Sequence, residues 1–222
     1  MDKGFPAPYI NDRAELGLAM ASLIERGIID KDTVVTPSYL RIKQTLDNST
    51  SNYEFDITSA SGTAPDELKL SINDSFFCTH FGFYLVPENT GDPLNIPYQT
   101  YPNQVAFVNT GNPADLEAVY KGSFSVKVQS TTVYEKIDLQ RFRIAPQTQQ
   151  AGATDVSQQD ALQGLQNLTP NLFLNGRATN SIVATLPTGG SVQWAGTTTW
   201  QNKLVLVAYG FLIKNVSFTK EG

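Results

Sequence analysis

Cysteine and histidine occur once each, as Cys78 and His80, and that scarcity removes whole classes of chemistry. One cysteine cannot close an internal disulfide, and so few thiol and imidazole groups cannot build a three-histidine metal site or a zinc cluster. A phosphate-cradling glycine loop ending in Lys-Ser or Lys-Thr is missing, as is a Gly-x-Ser-x-Gly elbow. Charge is sparse too: charged residues make up 17% of the 222, and 16 basic against 21 acidic residues leave a formal net charge of -5. A pI near 4.9 opposes the clustered basic face on which nucleic-acid binding relies, so nucleic acid is not expected as a partner. No window approaches the roughly 18 apolar residues of a membrane helix, and residues 1–8 lack the apolar core of a signal peptide. The expectation is a soluble protein made inside a cell, with no metal, cofactor or catalytic residue.

What the chain has in quantity is polar but uncharged: Ser, Thr, Asn and Gln together outnumber the charged residues, while 41% of the chain is apolar. The most apolar stretch, Lys203 to Ile213, is too short to cross a bilayer and is rich in β-branched and aromatic residues. It reads as a strand buried on both faces. A strand of that kind needs sheet on either side and a second layer, which predicts an all-β sandwich. The run from Phe76 to Val86, which holds Cys78 and His80, has the same character and reads as a second central strand, and Phe81, Phe83, Leu85, Leu204, Leu206 and Phe211 are expected to share one core. Between Val34 and Ile72 the period is two, with Leu40, Ile42 and Leu46, then Tyr53, Phe55 and Ile57, then Leu68, Leu70 and Ile72 on the inward phase. Strands resume at Phe124, Val126 and Val128. The shift from Ile137 and Leu139 to Phe142 and Ile144 predicts a bulge near Gln140 and Arg141.

Two long loops interrupt the strands. Residues 87–117 carry five prolines and are expected to lie outside any ladder, apart from a short strand at Val105 to Val108. The Gln-rich stretch 146–168 reads as a loop or a short helix centred on Asp155 to Leu165. At the other end, residues 1–32 divide into a proline-bearing arm and an amphipathic helix, capped by Asn11 or Asp12 and stopped at Gly27, with Leu16, Met20, Leu23 and Ile24 on one face. That face packs either on its own domain, residues 33–222, or on a neighbouring subunit. The arm residues Phe5, Pro6, Pro8, Tyr9 and Ile10 are expected to contact a neighbouring chain.

Few residues invite a chemical reading. Cys78 and His80 are two apart and would share a face of a regular strand, yet a buried thiol and a satisfied core histidine account for both. Asp66 with Glu67, and Glu135 with Asp138, are the local acid pairs a glycosidase would need, but all lie in polar surroundings where solvated charge is expected. Trp194, Trp200, Tyr98 and Tyr101 are candidate ligand-facing aromatics that could stack on sugar rings; alternatively they fill a sandwich end or a subunit contact.

The layout as a whole resembles the single jelly-roll structural proteins of virions, particularly capsid shell and auxiliary or decoration proteins of bacterial viruses. The likeness rests on the proline-bearing arm, about eight strands, the long mid-chain loop, and a terminal pair in which Asn175-Gly-Arg-Ala and Trp194-Ala-Gly-Thr-Thr-Thr precede Asn202-Lys-Leu-Val-Leu. It covers most of residues 34–218. The resemblance implies a two-sheet barrel that self-associates as a trimer or higher symmetric oligomer, meets other capsid proteins through arm and loops, and resides in the virion. It carries no functional residue across. A carbohydrate- or receptor-binding module of a phage fibre or a lectin is the alternative, and a small glycosidase-like enzyme stands third.

Overall fold

The computed structural model describes residues 33–58, 67–92, 98–107, 113–145, 164–187 and 193–214, and, between 14 and 30, Ala14, Gly17, Leu18, Met20, Ala21, Leu23, Ile24, Glu25, Gly27, Ile29 and Asp30. Among the described residues eight strands follow in order: β1 (Val35–Thr45), β2 (Asn52–Phe55), β3 (Ser75–Asn89), β4 (Ser123–Val128), β5 (Thr131–Asp138), β6 (Gln166–Asn175), β7 (Asn180–Thr185) and β8 (Trp200–Ile213). They form two four-stranded sheets, β1-β8-β3-β6 and β2-β7-β4-β5, in which every pairing is antiparallel. First pairs with last, second with seventh, third with sixth and fourth with fifth. The chain is thus one long hairpin rolled so that successive pairs alternate between layers, the strand order of a jelly roll.

The central position expected of β8 holds, since it pairs along its length with β1 on one side and β3 on the other. Its even-numbered residues Leu204, Leu206 and Ala208 enter the inter-sheet core with Phe81, Phe83 and Leu85 of β3, Leu40 and Ile42 of β1, and Phe124, Val126, Ile182 and Ala184 of the facing sheet. Odd-numbered residues point the other way. Val205 packs with Tyr84 and Val86, while Phe211 and Ile213 pack with Phe77, Leu23 and Ile29. Both faces of β8 are covered because a second, thinner apolar layer lies on the outside of its sheet.

The N-terminal helix forms part of that layer. All its described residues from Ala14 to Glu25 are helical, and Gly27, at φ +67°, ends it by donating its N–H to the Ile24 carbonyl at 2.9 Å. Leu23 is buried and Met20 partly buried against Phe77 and Phe211. So the helix packs on its own domain, yet Leu18 and Ile24 remain 75% and 40% exposed.

β3 departs most from a regular strand. Its register slips between Cys78 and His80, an inserted Thr79 that moves the inward phase from Phe76 and Cys78 to Phe81, Phe83 and Leu85. Gly210 lies opposite the slip, where a Cβ would stand 2.0 Å from the Phe77 carbonyl oxygen. Only a residue without a side chain lets the two backbones close there.

Four local expectations need correction. β3 continues through Pro87 to Asn89, opposite Asn202 to Trp200. The ladder tolerates Pro87 because Leu85, two residues earlier on the same edge, exchanges both backbone bonds with Gln99 rather than with β8; the missing N–H faces away from β8. Residues 68–70 make only isolated bridges, leaving Leu68 and Ile72 exposed and Leu70 alone buried. Gln104 to Phe107 is a turn, not a strand, although Phe107 is fully buried. The phase shift after Asp138 comes from a 3-10 turn, Leu139–Phe142, capped by the Asp138 side chain accepting from the Gln140 N–H, and not from a bulge. Within the 87–117 loop a helical turn, Pro113–Leu116, leads into a 3-10 turn, Glu117–Lys121. Residues 146–163 lie outside the described residues.

Candidate functional site

The slip in β3 decides what Cys78 and His80 can do. Without it they would share a face; with it Cys78 points into the core, fully buried, and His80 lies outside, edge-on to Tyr209 at 6.0 Å. The thiol donates to the His80 carbonyl at 3.3 Å, while a ring nitrogen of His80, Nδ1, hydrogen-bonds Thr79 Oγ1 at 2.7 Å. Thiol and imidazole do not meet. Burial pushes the thiol well above its ordinary 9.0, opposite to what an activated nucleophile needs.

Tyr120 is a second buried acid. Its ring is in the core, its hydroxyl finds no hydrogen-bond partner, and burial, with the Glu117 carboxylate nearby, drives its ionisation far above the ordinary 10.0. Both groups stay protonated in the fold and ionise more easily once unfolded. Their contribution to stability is therefore complete below the ordinary thiol value and lost as pH rises beyond it. Thermal melts are expected to show Tm falling above about pH 9. Tyr120→Phe should lose less stability than the parent above about pH 10, because the group that ionises on unfolding is gone; equal alkaline losses in the two would contradict the assignment.

One member of each acid pair is in structural use. Glu67 accepts from the Lys43 backbone N–H at 2.9 Å, and Asp138 caps a 3-10 turn. Asp66 lies outside the described residues. Among the described residues no group of three or more His, Cys, Asp or Glu side chains gathers where a metal ion could be held. An open cleft of about 740 Å³ lies at the end of the second sheet, lined by Lys121, Lys136, Asp138, Gln140 and Thr185 among others. Between the turn after β5 and the start of β6 is a smaller pocket of about 130 Å³ that includes Tyr134 and Arg141.

The aromatics singled out from the sequence separate. Trp194 is 4% exposed and belongs to the inter-sheet core, its carbonyl accepting from Asn202 Nδ2 at 2.8 Å. Tyr101 is buried as well. Trp200 opens β8 and is half-buried. Tyr98 lies against Tyr84, ring centres 5.9 Å apart, on the outside of the first sheet. Only Tyr98 and Trp200 retain surface that a ligand could meet. The arm residues Phe5, Pro6, Pro8, Tyr9 and Ile10 lie outside the described residues.

The outer face of the first sheet gathers polar chemistry that sequence reading missed. At one end Glu88 of β3 pairs with Lys43 of β1 and, at 3.6 Å, with Lys203 of β8; the three side chains are 12%, 10% and 13% exposed. Lys203 Nζ also donates to Thr45 Oγ1 and Gln201 Oε1. In the middle, register sets Tyr39 opposite Tyr209 and Tyr209 opposite His80. Beside that row Arg41 rests against the rings of Tyr39 and Tyr98. The outward phase of β1, with Tyr39, Arg41 and Lys43 in alternation, was readable locally; which residues lay across from them was not.

Fold and geometry together define a jelly-roll β-sandwich whose first sheet carries a thin apolar layer and an aromatic, cationic patch on its outer face. Comparisons of the chain with protein-family models, with curated proteins and with solved structures gave no match.

Proposed function

We propose that this chain is a non-enzymatic structural subunit of a virion, a capsid shell or auxiliary decoration protein of a bacterial virus, acting by assembly with copies of itself and with other capsid proteins. The observation that carries the reading is the strand order β1-β8-β3-β6 over β2-β7-β4-β5, since double-sheet jelly rolls recur in viral capsid domains. Lectin domains and cupins share it, so other features have to favour assembly. One is the exposure of Leu18 and Ile24 on the helix and of Val34 just before β1, a pattern suited to subunit contact. The net charge of -5 fits a surface-lying subunit better than one touching packaged genome.

The mass of the purified protein in solution is the direct test. A trimer or larger symmetric oligomer is expected, and deletion of residues 1–11 should leave the β-sandwich folded while weakening assembly and incorporation into particles. A strict monomer that does not join particles would overturn the assembly reading. An unchanged oligomer after the deletion would remove the arm from it. The alternative, a glycan- or receptor-binding module, draws its support from the aromatic patch around Arg41.

A further inference from the structure

Three half-buried cations of the described surface have carboxylate partners: Lys43 and Lys203 meet Glu88, and Arg143 meets Glu117. Arg41 does not. Its guanidinium carbon stands 5.4 Å from the centre of the Tyr39 ring and 5.5 Å from that of Tyr98, and its one side-chain hydrogen bond is a long donation from Nη2 to the Tyr39 hydroxyl at 3.5 Å. Nε is buried without an acceptor. Arginine keeps its charge at any working pH, so the fold holds a permanent cation, positioned by two rings, with donors left over.

We propose that Arg41, held by Tyr39 and Tyr98 beside Tyr209, binds the carboxylate of an acidic sugar residue, a uronic or sialic acid. The rings fix the guanidinium by cation–π contact, and with Nε buried the Nη1 and Nη2 edge is left to meet a carboxylate in the two-bond fork that the pair favours. The neighbouring surface supplies the second half of such a ligand. Tyr39 is 41% exposed and lies in register with Tyr209, giving an aromatic surface with polar edges on which the C–H face of a pyranose can stack.

An acidic peptide fits less well. The backbone N–H and carbonyl of Arg41 are already bonded to Leu68 at 2.8 and 3.0 Å, so a peptide cannot add as a strand at this point of the edge. The site does not depend on the assembly role, because a particle subunit and a free module would both present it.

Titration of the intact protein, followed by amide chemical shifts, tests the site with four probes: glucuronate, N-acetylneuraminate, the methyl ester of N-acetylneuraminate, and a tetraglutamate peptide. Binding of at least one acid sugar in the millimolar range is expected, with shifts at Tyr39, Arg41 and Tyr209. Arg41→Gln should weaken it roughly tenfold or more, the loss of a charged fork, with an unchanged Tm. Tyr39→Ala, at an exposed position, should weaken it without affecting folding. No binding of either acid at about 10 mM, a millimolar-or-weaker limit, would overturn the proposal. So would equal binding of the ester, equal binding by Arg41→Gln, or tighter binding of the peptide than of both sugars.

Discussion

Replacing Phe83 by alanine is expected to cost about 3–5 kcal/mol of folding stability. Phe83 is 1% exposed and spans the two layers: from β3 in the first sheet it reaches Phe55 of β2 at 5.8 Å, Phe124 of β4 at 5.3 Å and Phe142 of the 3-10 turn at 5.1 Å. A cavity there cannot collapse, because its walls belong to strands held by ladder bonds in two different sheets. Phe211→Ala makes the contrast. Phe211 was expected from the sequence to share this core, and lies instead on the outer face with Leu23 and Phe77. That layer is closed by one helix, which can shift to fill the gap. Urea titrations should give Phe83→Ala the larger loss; the reverse order would mean the outer layer, not the inter-sheet core, holds the sandwich together.

Glu88→Ala should be the most damaging change to a charged residue, at about 3–5 kcal/mol. The side chain serves two lysines at once, and removing it leaves two cations facing each other at near-buried positions on β1 and β8. Coulomb repulsion then adds to the desolvation already incurred. The triple change Lys43→Met, Glu88→Leu, Lys203→Met should recover most of that loss, since apolar side chains of similar volume avoid desolvating charge. Chemical denaturation of the parent, the single and the triple variant gives the comparison. A triple variant as unstable as Glu88→Ala would show that the cluster contributes net stability beyond satisfying its own members.

Sequence reading located the strands well and the interruptions poorly, for one reason. Alternation at Leu40 and Ile42, or at Tyr53 and Phe55, reports one buried face directly. The slip at Thr79 leaves no such mark, because the residues on either side of it are apolar on both faces: Phe77 and Phe76 bury equally well inward or outward. The same ambiguity placed Phe211 in the wrong layer. Pro87 misled in the opposite direction, being read as a ladder breaker when it sits on the edge where no donor to β8 is needed.

Local chemistry was enough to establish an all-β chain with a central, doubly covered last strand and a helix ending at Gly27, since run length, period and capping are properties of neighbours in sequence. Tertiary structure alone decided the partition into β1-β8-β3-β6 and β2-β7-β4-β5, the division of Cys78 from His80, and the meeting of Lys43, Glu88 and Lys203. It also decided that Arg41 would rest on Tyr98. These depend on register between strands far apart in the chain, where a one-residue slip exchanges every inward side chain for an outward one.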